Sequence, residues 1–151
     1  MILVALAALI IGDPLPPLAL ATPTGAPTTL PPTSRVRVID FFATWCGPCR
    51  DSLPALERLR RRFGDRVEFI TIDEGDSGAE AAEFLRSLGV AAQLFLDRDG
   101  GAYRLLGVHR LPTTFIVDGR GIVRRINRGS GAGYEARMAR WLTEIVGTAP
   151  R

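Results

Sequence analysis

The sequence predicts an α/β domain in which helices cover a mixed β-sheet. Short runs of β-branched and aromatic residues alternate along the chain with longer runs of helical periodicity. The last two strand-like runs flank the turn Gly-Arg-Gly, which indicates an antiparallel hairpin. Hydrophobic residues make up 46% of the 151 residues, which is enough for one domain with its own core.

The beginning of the chain differs in composition from the rest. Residues 1–11 are apolar throughout, but they are fewer than the roughly 20 residues that a bilayer span needs. They resemble the hydrophobic part of an export signal without its positive lead, so we expect a signal or anchor remnant. Residues 13–34 contain seven of the eleven prolines, which predicts a linker or short edge strands with turns.

The central part of the chain predicts a strand, a helix and a second strand. Residues 35–43 and 66–73 are rich in β-branched and aromatic side chains, which is typical of buried strands. Residues 47–63 between them carry leucines at helical spacing, with arginines on the other side. Pro54 lies inside this segment and predicts a kinked helix, because proline removes a hydrogen bond.

The second half of the chain continues the alternation. We predict a helix over 77–89, with Ser77 as its N-cap and Gly89 at its C-terminal end. The remaining predicted elements are a short strand over 92–97 followed by a turn, a hairpin of strands 113–118 and 121–127, and an amphipathic helix over 133–147.

The charge of the chain does not indicate a nucleic-acid-binding protein. The formal net charge is +3, every one of the 19 basic residues is an arginine, and these are spread along the sequence. The densest basic run, residues 58–66, is either a docking patch for an acidic partner or the solvated face of a helix. We favour the solvated face.

The two cysteines, Cys46 and Cys49, admit three uses: half of a zinc site, a structural clip or a redox centre. A structural zinc site needs four ligands, whereas the chain has two cysteines and one histidine. A disulfide that closes so short a loop constrains the unfolded chain little. The redox use is favoured because Cys46 is placed at a helix start, where backbone amides and the helix dipole stabilise a thiolate.

The two cysteines have different expected roles in a redox centre. Cys46 is the expected nucleophile, since the thiolate attacks in disulfide exchange. Cys49, one turn further in, is expected to be more buried and to resolve the mixed disulfide. Gly47 and Pro48 are expected to let the loop turn into the helix and to set the geometry of the pair.

The stretch "DFFATWCGPC", with Pro54 five residues after Cys49, resembles the thioredoxin superfamily. The resemblance implies a thioredoxin fold in which Asp40, six residues before Cys46, is the buried acid that assists deprotonation of the resolving thiol. Pro112, in "LPTTF", matches the cis-proline beside the cysteine pair. Trp45 and Leu111 would complete a substrate-docking rim around it, and Gly47 and Pro48 are further expected substrate-binding residues.

The long interval between Cys49 and Pro112 resembles the TlpA/ResA branch of that superfamily. The resemblance implies a central αβ insertion and an N-terminal β-hairpin, with the thioredoxin-like domain at residues 12–147 and a C-terminal tail at 148–151. It also implies a monomeric oxidoreductase, periplasmic or membrane-tethered, that acts as a reductant of protein disulfides, for example in cytochrome c maturation. Electrons would come from a partner dithiol protein, either soluble or membrane-bound, and no metal or organic cofactor is expected.

Two alternatives stay open at this stage. One is a cytoplasmic thioredoxin-like reductant, and the other is a non-catalytic metal chaperone that uses the cysteine pair as ligands across a dimer. Asp76 either shapes substrate recognition, caps a helix or is simply solvated. His109 is close in sequence to Pro112, although thiol exchange needs no base there. The direction of electron flow is also open, with a preference for reduction.

Overall fold

The computed structural model describes residues 8–147, which form a seven-stranded sheet and four α-helices. The strands are β1 (Leu20–Ala21), β2 (Pro27–Thr28), β3 (Val36–Phe42), β4 (Val67–Glu74), β5 (Gln93–Asp97), β6 (Thr113–Val117) and β7 (Val123–Arg128). The helices are α1 (Cys49–Phe63), α2 (Gly78–Ser87), α3 (Gly101–Leu105) and α4 (Tyr134–Gly147). The predicted tail at 148–151 and most of the predicted signal or anchor remnant lie outside the described residues.

The sheet is mixed, as predicted, with the order β2-β1-β5-β4-β3-β6-β7. The three strands β3, β4 and β5 run parallel, whereas β6 and β7 are antiparallel additions on the other side of β3. The predicted N-terminal hairpin is β1 with β2, and β1 attaches it to the inserted strand β5. All seven residues of β3 are buried, because this strand has neighbours on both sides and helices over its face.

Helices pack on the two faces of the sheet according to the alternation of side chains along β3. Val38 faces α1 and α4, whose buried side chains form one apolar cluster with it. Ile39 and Phe41 face the opposite side, where α3 and the N-terminal segment cover them. A third cluster joins the start of α1 to α2 and contains Phe42 together with both cysteines.

The start of α2 follows the predicted capping pattern. The Ser77 hydroxyl accepts a hydrogen bond from the Glu80 amide, and the Glu80 carboxylate accepts one from the Ser77 amide. Gly89 follows the helix with a φ of 71°, the left-handed conformation that glycine adopts most readily. A side chain at Gly78 would meet the backbone carbonyl of Pro23, so the N-terminal segment packs closely against this helix.

Several features differ from the sequence prediction or add to it. Helix α1 begins at Cys49 instead of Gly47. The turn after β5 leads into the short helix α3, which was not predicted; its first amides are held by the Asp97 carboxylate at 3.1 and 2.7 Å. Leu9 packs into the core, ahead of the domain start predicted at Gly12. The predicted kink at Pro54 remains a prediction.

The basic run lies on the exposed side of α1. Arg58 pairs with Glu135 of α4, and Arg60 and Arg61 both pair with Glu57. These ion pairs support the interpretation of the run as a solvated helix face. No helix within residues 8–147 has the length and apolarity that a membrane crossing requires.

Candidate active site

Cys46 and Cys49 form a disulfide in the loop that joins β3 to α1, with their Cα atoms 5.4 Å apart. The whole residue Cys46 is 4% exposed and Cys49 is 0% exposed, so the second cysteine is the more deeply buried one. This order agrees with the expectation that the first sulfur meets substrate and the second resolves the intermediate.

The first turn of α1 is directed at the Cys46 sulfur. The backbone N–H of Cys49 donates a hydrogen bond to Cys46 Sγ at 3.2 Å. The next amides, of Arg50 and Asp51, bond to the carbonyls of Gly47 and Pro48 and close the turn. A sulfur at the amino end of a 15-residue helix, with an amide donated to it, is stabilised as a thiolate when the disulfide is reduced.

The residues around the disulfide form an exposed surface. Trp45 is 69% exposed, and Gly47 and Pro48 are exposed as well. Gly47 has no positive φ, and a Cβ there would meet no atom within 4 Å. The backbone conformation of the loop therefore does not itself require glycine at this position, and the expected roles of Gly47 and Pro48 stay predictions.

The Leu111–Pro112 peptide bond is cis, as the resemblance implies. Pro112 is buried, and its carbonyl oxygen already accepts a hydrogen bond of 2.7 Å from the Gly129 amide. Leu111 is partly buried and packs against the cluster that contains both cysteines. The structure thus brings Leu111 to the site, while the backbone carbonyl of Pro112 is taken up within the fold.

Asp40 is fully buried and lies between Val38 and Phe42 on the face of β3 that α1 covers. Its Oδ1 atom accepts a hydrogen bond of 2.7 Å from the Thr114 hydroxyl. Its Oδ2 atom has no hydrogen-bond partner within residues 8–147. Burial raises the pKa of Asp40 to about 7, although the Thr114 hydrogen bond acts in the opposite direction.

Two side chains beside Asp40 were missed by the sequence analysis. Thr114 lies directly opposite Asp40 in the antiparallel pairing of β3 with β6. Its hydroxyl also lies 2.9 Å from the Tyr134 hydroxyl at the start of α4. The strand register supplies these contacts, so only the appearance of Thr114 in "LPTTF" pointed to this position in the sequence.

A second buried carboxyl, Asp73 on β4, was also missed. Its Oδ1 accepts a 2.8 Å hydrogen bond from the Asp76 amide, and its Oδ2 has no partner among the described residues. Burial, followed by the nearby Asp76 carboxyl, raises the pKa of Asp73 to about 8. Asp76 in turn accepts a 2.8 Å hydrogen bond from the Thr44 amide, so it holds the active-site loop, and Ser77 rather than Asp76 caps α2.

His109 is exposed, and its Nδ1 lies 3.1 Å from the Gly107 carbonyl oxygen. The expectation that His109 is not a catalytic base stays a prediction. Within residues 8–147, no three His, Cys, Asp or Glu side chains are grouped so as to hold a metal ion.

The sheet order, the cysteine pair at the start of α1 and the neighbouring cis-proline together define the thioredoxin-fold class of thiol-disulfide oxidoreductases. A family model described as the AhpC/TSA family matches residues 11–126. The chain belongs to this family.

Known relatives agree with this assignment. The thioredoxin-like protein YneN of Bacillus subtilis (strain 168) is 28% identical over 127 residues, which are 79% of this chain and 72% of YneN. The thiol-disulfide oxidoreductase ResA of the same organism is 30% identical over 93 residues, or 61% of this chain and 52% of ResA. The match thus spans about half the length of ResA.

A solved structure shows the same fold over almost the whole chain. The crystal structure of a Chlorobium tepidum protein, solved as a candidate thiol:disulfide interchange protein DsbE, superimposes with a TM-score of 0.84 at 27% identity. The superposition covers 93% of this chain and 100% of that one. The predicted thioredoxin fold and the predicted TlpA/ResA-type resemblance are therefore confirmed.

Proposed function

We propose that this protein reduces disulfides in other proteins outside the cytoplasm by exchanging its Cys46/Cys49 dithiol with them. Cys46 attacks one sulfur of the substrate disulfide, and a mixed disulfide forms as the first substrate thiolate leaves. Cys49 gives its proton to Asp40 and attacks Cys46 Sγ, which releases the second substrate thiolate. Two electrons pass to the substrate, and the protein is left with the Cys46–Cys49 disulfide.

The single observation that carries this proposal is the hydrogen bond from the Cys49 amide to Cys46 Sγ at the amino end of α1. It supports a stabilised thiolate at the sulfur nearer to the surface. The buried Asp40, on the same sheet face, supports the second half of the cycle because its pKa of about 7 suits a group that takes and returns a proton near neutral pH.

The substrate is expected to dock across Trp45 and the turn at Pro112. Trp45 supplies exposed aromatic area beside the disulfide, and Leu111 lies against the cysteine cluster. Since Pro112 lacks an N–H and its carbonyl is occupied by Gly129, the backbone groups offered to an extended substrate segment are those of Leu111.

The resemblance to the TlpA/ResA branch supports a role outside the cytoplasm, and cytochrome c maturation is one setting for it. A dithiol protein, either soluble or membrane-bound, would reduce the Cys46–Cys49 disulfide again after each cycle. The oxidoreductase itself would act as a monomer. No metal or organic cofactor has a role in this cycle. The alternative is a reductant that carries out the same chemistry in the cytoplasm.

The experiment is reduction of insulin disulfides by the purified protein with dithiothreitol as the electron source. We expect catalysis by the natural chain and none by Cys46→Ala, because the attacking sulfur is lost. Cys49→Ala is expected to trap a mixed disulfide through Cys46, which mass spectrometry detects. Retained turnover in Cys46→Ala contradicts the proposal.

Direction needs a separate measurement, since reduction potentials of such pairs range from about −270 mV to about −120 mV. We expect the Cys46/Cys49 potential, measured by equilibration with glutathione, near the reducing end of that range. A potential near the oxidising end would reverse the proposed direction of electron flow.

A further inference from the structure

A hydrogen-bond network of three polar side chains lies in the core beside the active site. Asp40 Oδ1 lies 2.7 Å from the Thr114 hydroxyl, which lies 2.9 Å from the Tyr134 hydroxyl. The three residues are 0%, 1% and 4% exposed. Three different elements contribute these residues, so the network links β3, β6 and α4 on the face of the sheet that α1 covers.

The chemistry of the groups fixes the direction of these hydrogen bonds. An ionised carboxylate accepts hydrogen bonds and donates none, so Thr114 must donate to Asp40. A threonine hydroxyl has one proton, which leaves it only lone pairs for its second neighbour. Tyr134 must therefore donate to Thr114, and that donation turns the Thr114 proton toward Asp40.

Among the described residues, this network leaves one carboxyl oxygen of Asp40 without a hydrogen-bond partner. Oδ1 is held by Thr114, whereas Oδ2 is buried without a partner among the described residues. A buried polar atom without a partner is costly, and such atoms are rare unless they have a role. Protonation of Oδ2 leaves the Thr114 bond to Oδ1 in place, so Asp40 keeps one orientation in both protonation states.

We propose that Thr114 and Tyr134 are positioning residues for Asp40, which hold its Oδ1 so that Oδ2 is the atom that takes the proton of the Cys49 thiol. This inference rests on the proposed thiol-disulfide exchange and extends it to two residues outside the Cys-x-x-Cys loop. In each reductive cycle one proton moves from Cys49 Sγ to Asp40 Oδ2 and later returns to solvent or to the reduced Cys49. Thr114 and Tyr134 keep their protons throughout.

The titratable groups around Asp40 are consistent with this assignment. Cys49 of α1 belongs to the apolar cluster of Phe42, which lies on the same face of β3 as Asp40. Tyr134, with Arg137 beside it, approaches from α4. Burial, with the Asp40 charge second, raises the pKa of Tyr134 well above its usual value, so Tyr134 stays a donor at neutral pH. Asp73 lies on the same sheet face one strand away, but the carboxyls that act on Asp73 are Asp76 and Glu74.

The test is the titration of the Asp40 carboxyl carbon by NMR in the oxidised full chain, with Thr114→Val, Thr114→Ser and Tyr134→Phe as variants. Thr114→Val removes the hydroxyl at nearly constant shape, and we expect it to raise the Asp40 midpoint by about one pH unit, because a hydrogen bond to the charged form is lost. Thr114→Ser keeps the hydroxyl and should titrate like the natural chain. Tyr134→Phe should raise the midpoint by less, since Thr114 can still donate.

The pH profile of insulin reduction should move upward with the Asp40 midpoint in Thr114→Val and stay in place in Thr114→Ser. An unchanged Asp40 midpoint in Thr114→Val, or an equal shift in Thr114→Ser, overturns the proposal. If Thr114→Val does not fold, an unchanged midpoint in Tyr134→Phe overturns it instead. Failure of the natural chain to reduce insulin would contradict the proposed function. The NMR titration tests separately whether Thr114 controls the pKa of Asp40.

Discussion

Two buried carboxyls, Asp40 on β3 and Asp73 on β4, lie on the same face of the sheet but have different neighbouring groups. Both residues are 0% exposed, and each has one oxygen without a partner within residues 8–147. The pKa is raised to about 7 for Asp40 and to about 8 for Asp73, mainly by burial in both cases. Burial alone therefore does not distinguish them.

The neighbours of the two carboxyls make the difference. Asp40 has a hydroxyl, that of Thr114, which stabilises its charged form and brings its pKa close to neutral. Asp73 has two further carboxyls, Asp76 and Glu74, which oppose its charged form. Asp40 is therefore suited to exchange a proton near neutral pH, whereas the neighbours of Asp73 favour its protonated form, and Asp73 holds the loop after β4.

The largest expected difference between the two carboxyls is in catalysis. Asp40→Asn removes the proton acceptor, and we expect the resolving step at pH 7 to slow by about 100-fold, the lower range for general acid–base catalysis. Asp73→Asn is the matched control, with the same isosteric change one strand away and an expected rate close to that of the natural chain. Stopped-flow measurement of mixed-disulfide resolution gives both rates. Equal losses in the two variants would remove the proposed distinction.

The second expected difference is in the pH dependence of stability. Both carboxyls bind a proton more tightly in the folded state than at their ordinary pKa of 3.8, so the free energy of unfolding should fall as pH rises from about 4 to about 7 for Asp40 and to about 8 for Asp73. At about 1.4 kcal/mol per pKa unit, the loss is about 4 kcal/mol for Asp40 and about 6 kcal/mol for Asp73. Urea unfolding of the oxidised protein at several pH values measures it.

The asparagine variants sharpen this second comparison. Each should reduce the fall in stability with pH, because a neutral amide replaces a group that must ionise in the core. Asp73→Asn should gain more at pH 8, since the new amide can donate to the Asp76 carboxylate, whereas the amide of Asp40→Asn finds no acceptor at the position of Oδ2. A stability that is flat between pH 5 and pH 8 in the natural chain would contradict the raised pKa values.

The smallest expected effect is the influence of the Asp76 charge on the pKa of Asp73 but not on that of Asp40. Asp76→Asn removes a negative charge but keeps an oxygen that can accept the Thr44 amide. We expect it to lower the pKa of Asp73 by about one unit and to leave that of Asp40 unchanged, since Asp76 acts on Asp73 alone. NMR titration of the two carboxyl carbons in this variant checks both values. A parallel shift at Asp40 would show that the two sites are coupled.

Much of the fold could be predicted because local patterns carried it. The β-branched and aromatic residues of β3, the helical spacing in α1 and the Ser77 N-cap are all properties of neighbouring residues in the chain. Helix α3 was missed because five residues are too few to show a period, and its first amides depend on the Asp97 side chain from the preceding strand.

The cysteine pair was predictable for the same reason as the elements that carry it. Cys46 and Cys49 are close in sequence, and the helix that stabilises the first sulfur begins at the second. Pro112 was found through its motif, and its cis bond agrees with that motif. Asp40 was identified through the resemblance to the thioredoxin superfamily, but its pKa was not predicted, because the pKa depends on the residues that surround it.

The position of the cysteine pair and the order of the strands and longer helices follow from the sequence. The surroundings of the buried carboxyls come from the tertiary structure. The pairing of β3 with β6 sets Thr114 against Asp40, the packing of α4 brings Tyr134 to Thr114, and the turn after β4 places Asp76 beside Asp73. The reason is physical: a pKa depends on burial and on neighbouring charges and dipoles, and residues far apart in sequence supply these only once the sheet has formed.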